Sequence, residues 1–106
     1  MAAMASVTAG GKDVLVIINK VTRSTGDDND PDTQVKVVFQ VKLDGRERFL
    51  ILRYFQSEPR RNPLLEQKEV LKAFLRYGGA TPESAAAQVI IDHVIAETSR
   101  KEFVYK

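Results

Sequence analysis

The sequence predicts an α+β domain: a three- or four-stranded, mostly antiparallel sheet in the order β-β-β-α-α, with a helical hairpin packed on one sheet face. Three observations carry this. Residues 14–18 (VLVII) form a β-branched run, residues 34–55 alternate apolar and polar around Asp44-Gly45, and two helix-period segments flank Gly78-Gly79.

A chain of 106 residues fits a single core. With 43% apolar and 28% charged residues it belongs with globular rather than disordered chains. Residues 1–12, rich in Ala, Ser, Thr and Gly, read as a disordered leader, and residues 13–106 as the globular domain. The leader has neither the basic start nor the apolar stretch of an export signal, so a cytoplasmic location is the expectation. The longest apolar run is far too short to span a bilayer, and no membrane association is expected.

Residues 13–22 make the first strand, because β-branched side chains favour a pleated backbone. The stretch RSTGDDNDPDT, residues 23–33, gathers turn formers with nothing to bury and reads as a polar loop. Residues 34–43 then place Val35, Val37, Phe39, Val41 and Leu43 on one face and Lys36, Gln40 and Lys42 on the other. Asp-Gly suits the positive φ angles of a type I′ turn, so this strand should fold back on residues 46–55. The register then sets Lys42 against Glu47, Phe39 against Leu50 and Val37 against Leu52.

Asn62-Pro63 is read as the start of the first helix, with Leu64, Leu71, Phe74 and Leu75 as its apolar stripe and Gly78-Gly79 as its end. Thr81-Pro82-Glu83 restarts a second helix whose buried stripe is Ala87, Ile91, Val94 and Ile95, flanked by Ile90. Beyond it, Phe103-Val104-Tyr105 forms either a short closing strand or an apolar tail docked on the sheet.

The absence of cysteine excludes disulfides, thiolate metal sites and a cysteine nucleophile. Asp28, Asp30 and Asp32 have the spacing of a calcium loop, but the later positions hold Thr33 and Phe39 where Gly and Glu are needed. His93 and Glu97 are too few ligands for a metal site. No serine lies in a nucleophile-elbow context, and no glycine run makes a phosphate loop. The expectation is therefore a non-enzymatic chain without cofactor or metal.

Two surfaces remain. The hairpin register puts Val38, Phe49 and Ile51 on the face away from the helices, where an antiparallel sheet is normally polar. This face is the candidate for a protein partner or a second copy of the chain. Net charge is only +2, but acids dominate the first third and bases the rest. Lys36, Phe49, Arg53, Arg60 and Arg61 accordingly make the alternative site, for RNA or single-stranded DNA, pairing cations with one stacking ring. The leading reading is a small protein-interaction module.

Overall fold

In the computed structural model, which describes residues 3–27 and 29–100, the Asp44-Gly45 turn anchors the sheet. Both residues take positive φ, 52° and 76°. Around them β3 (Gln34–Leu43) and β4 (Arg46–Phe55) pair in the expected register, Lys42 with Glu47, Phe39 with Leu50 and Val37 with Leu52. Val35, Val37, Phe39, Val41, Leu50 and Leu52 are all fully buried. One face of this hairpin is the floor of the core.

Among the described residues five strands form the sheet, in sequence order and antiparallel throughout: β1 (Ala3–Ala9), β2 (Lys12–Arg23), β3, β4 and β5 (Leu64–Leu65). The count exceeds the expected three or four because of β1 and β5. The disordered leader is thus corrected over residues 3–12, which belong to the fold. Gly10 and Gly11, at φ of 59° and 78°, make a second tight turn of the kind seen at Asp44-Gly45. They fold β1 onto β2 with Ala9 opposite Lys12 and Val7 opposite Val14. Val7 and Ala9 face the core, while Met4, Ser6 and Thr8 are exposed on the other side.

Strand β2 is apolar on both faces, and a bulge explains part of the pattern. Ile18 pairs with Phe39 and Lys20 with Val38, which leaves Asn19 as the extra residue. Before it the even positions Val14, Val16 and Ile18 face the core; after it the odd position Val21 does.

The first helix starts later than Asn62-Pro63 implies. Asn62 sits at φ 49°, and Leu64–Leu65 continues the sheet before α1 (Lys68–Tyr77) begins. Sheet pairing outweighs the local capping signal here, since Leu65 is buried opposite Leu52 and Glu66 N–H donates to the Ile51 carbonyl at 3.0 Å. Leu64, expected in the helix stripe, is instead exposed on this edge strand. Leu71, Phe74 and Leu75 are buried as expected.

Helix α2 (Glu83–Thr98) begins one residue after the expected position, with Pro82 in the extended flanking place. Its buried stripe is Ala86, Ala87, Ile90, Ile91, Val94, Ile95 and Thr98. Both helices lie on the same sheet face, and α2 reaches across to β1 and β2. The proposed strand or tail at Phe103-Val104-Tyr105 lies outside the described residues.

Candidate interaction surface on the outer sheet face

Strand registers fix what the helix-free face presents. Reading across the strands, one row is Met4, Ile17, Gln40 and Phe49. The next row is Lys20, Val38 and Ile51, followed by Thr22, Lys36, Arg53 and Leu64. On the other side of the first row lie Ser6, Leu15, Lys42 and Glu47. Apolar side chains therefore run obliquely from Met4 to Leu64. Met4 is 69% exposed, Phe49 58% and Leu64 56%, while Leu15, Val38 and Ile51 are half-buried by their neighbours.

Polar groups on this face satisfy one another. Asn19 Nδ2 donates to Gln40 Oε1 at 3.1 Å, and Gln40 Nε2 donates to Glu47 Oε2 at 3.0 Å. Lys42 Nζ stands 3.7 Å from the same carboxylate. Arg53 is held to Glu66 at 3.2 Å. The bulge residue Asn19 thereby fixes a chain of amide and carboxylate beside the apolar band; Lys42 and Arg53 are ion-paired there, and Lys20 and Lys36 share the same face.

Val38, Phe49 and Ile51 are brought together, Val38 directly opposite Ile51 and Phe49 two residues away on the same strand face. Lys36 and Arg53 are cross-strand partners and share this face with Phe49. Arg60 and Arg61 do not join them. Arg60 bonds Asp92 of α2 at 3.0 Å, on the helix side, and Arg61 bonds Glu58 within its own loop at 3.2 Å. Met4, Leu15 and Leu64 are the members that sequence reasoning missed. For Met4 the signal was present, in the alternation of AMASVTA before Gly10-Gly11.

Elsewhere, the loop between β2 and β3 folds on itself: Asp27 Oδ1 accepts the Asn29 N–H and Asp30 Oδ1 the Asp32 N–H, both at 2.9 Å. Asp28 lies outside the described residues. Glu97 pairs with Arg100 at 3.3 Å. Among the described residues no three His, Asp or Glu side chains converge as a metal site would require, and no helix is long and apolar enough to cross a membrane. Compared with known protein families, characterised proteins and solved structures, the chain matches none.

Proposed function

We propose that this chain is a non-enzymatic interaction module whose outer sheet face receives an apolar surface of a protein partner. The observation that supports it is Phe49, 58% exposed beside Ile51 and Val38 on the sheet face opposite the two helices. An open antiparallel face is ordinarily polar, and a contiguous apolar patch on it marks a contact surface. Exposed aromatic rings are the residue class enriched at such contacts.

A protein fits this face better than a polyanion does. Of the cations on it, Arg53 is already paired with Glu66 and Lys42 with Glu47, which leaves Lys20 and Lys36 and lowers the counterion release that binding a phosphate chain would gain. RNA or single-stranded DNA remains the competing reading, through Lys36 and Arg53 beside Phe49.

The test is a photo-crosslinking residue placed at Phe49 in the expressed protein, with the same residue at Tyr77 as control; Tyr77 is 80% exposed at the end of α1, away from this face. A discrete protein adduct from position 49, lost on Ile51→Lys and absent from position 77, is the expected result. No adduct, or the same adducts from both positions, would count against the reading. An adduct to nucleic acid, with binding that weakens steeply in salt, would replace it with the competing one.

A further inference from the structure

We infer that the free edge of β1 pairs with the same edge of a second copy of the chain, joining two five-stranded sheets across a two-fold axis at Ser6. This edge is a separate surface from the outer face and does not depend on the reading above.

Hairpin geometry determines which backbone groups point outward. In a two-residue hairpin the pair next to the turn exchanges both hydrogen bonds, so Ala9, Val7, Ala5 and Ala3 bond to β2. The N–H and C=O groups of Met4, Ser6 and Thr8 therefore point away from the sheet. The same rule applied to β4 directs Ile51 outward, and there the Ile51 N–H reaches Gln67 Oε1 at 3.2 Å while its carbonyl takes the Glu66 N–H at 3.0 Å. No such partner meets the outward groups of Met4, Ser6 and Thr8 among the described residues.

The two sheet edges are protected very differently. At the β4 edge stand a two-residue strand, the Gln67 side chain, and the charges of Arg46, Glu47 and Arg48. β1 is seven residues long with no charge, no proline and no bulge, so it lacks the devices by which edge strands avoid pairing.

A second copy is the occupant this edge fits. Antiparallel pairing about Ser6 sets Met4 of each copy opposite Thr8 of the other and uses every outward group of those three residues. No ionisable side chain lies on β1, so identical strands meet without repulsion. Because the β4 edge is capped, the pairing closes at two copies instead of growing into a fibre. A foreign extended peptide would need side-chain pockets for selection, and beside Ser6 the exposed side chains of β1 are those of Met4 and Thr8, which form none.

Sedimentation equilibrium over a range of concentrations, with amide hydrogen exchange on the same samples, tests this. The unmodified chain should show a reversible dimer, with protection of the Met4, Ser6 and Thr8 amides rising with dimer fraction. Ser6→Pro removes an outward N–H that β2 does not use, and should raise the dissociation constant at least about tenfold, since each dimer loses two ladder bonds. If Ser6→Pro fails to fold, Ser6→Lys sets two ammonium groups face to face on an exposed position and should give a folded monomer. Phe49→Ser should leave the dimer intact, which separates this edge from the outer face. A chain that stays monomeric, a dimer indifferent to both Ser6 substitutions, or edge amides protected independently of concentration would overturn the inference.

Discussion

Tyr54 and Thr98 meet inside the core, hydroxyl to hydroxyl at 2.6 Å, and tie the end of β4 to the last turn of α2. The Thr98 hydroxyl donates to the Val94 carbonyl at 2.8 Å, which leaves its oxygen to accept the Tyr54 proton. Thr98→Val would strand a buried phenol and is expected to cost about 1–3 kcal/mol, whereas Tyr54→Phe should cost about 1 kcal/mol. The double variant should lose less than the two effects added, as urea unfolding of all four proteins would show.

The first turn offers a sharper contrast. Gly10 and Gly11 both have positive φ, but a Cβ on Gly10 would lie 2.7 Å from the Thr81 nitrogen and 2.8 Å from the Ala80 carbonyl carbon, while one on Gly11 meets open space. Gly11→Ala should cost only the left-handed backbone penalty of about 1–2 kcal/mol. Gly10→Ala should exceed it by about 1–3 kcal/mol, because a main-chain neighbour cannot rotate aside. Equal midpoints in thermal denaturation would contradict the packing of this turn under the helix connection.

Neighbouring residues on β4 should respond very unequally to truncation. Leu50 is fully buried and Phe49 is mostly exposed. Leu50→Ala should destabilise by about 2–5 kcal/mol, and Phe49→Ser by no more than about 1 kcal/mol. Chemical denaturation of the two variants checks this, and a large loss at Phe49 would mean that the outer face is covered within the chain.

Gln67 caps the second edge by accepting the Ile51 N–H. Gln67→Ala should cost about 1 kcal/mol and speed exchange of the Ile51 amide, while the Leu52 amide, in the β3 ladder, keeps its protection. Unchanged exchange at Ile51 would remove that cap.

How far the fold could be read depended on whether the deciding interactions were local. Asp44-Gly45 fixed the central register, because a two-residue turn leaves no freedom in which residues oppose each other, and α2 was legible from the start signal at Thr81-Pro82-Glu83 and the spacing of Ala87, Ile91, Val94 and Ile95. β1 was not, since its Ala, Ser and Thr side chains resemble a solvated leader until Gly10-Gly11 is recognised as a turn of the same kind. At Asn62-Pro63 a strong local capping signal lost to the pairing of Leu65 with Leu52, a tertiary contact that no short window contains. The apolar outer trio Val38, Phe49 and Ile51 followed from the register alone. The cationic set did not hold together, because Arg60 is drawn to Asp92, which only the packing of α2 brings near.

The path of the chain also orders its own assembly in time. Every strand bonds to its sequence neighbour, so the sheet can form progressively as the polypeptide is made. Covering Val7 and Ala9, however, requires α2 to reach back over a strand encoded well before it. A nascent chain stopped before Glu83 should therefore display the helix-side surface of β1 bare to solvent or to a chaperone, and protease resistance of residues 3–9 should arise only once α2 has left the ribosome. β1 is committed to the native state by α2.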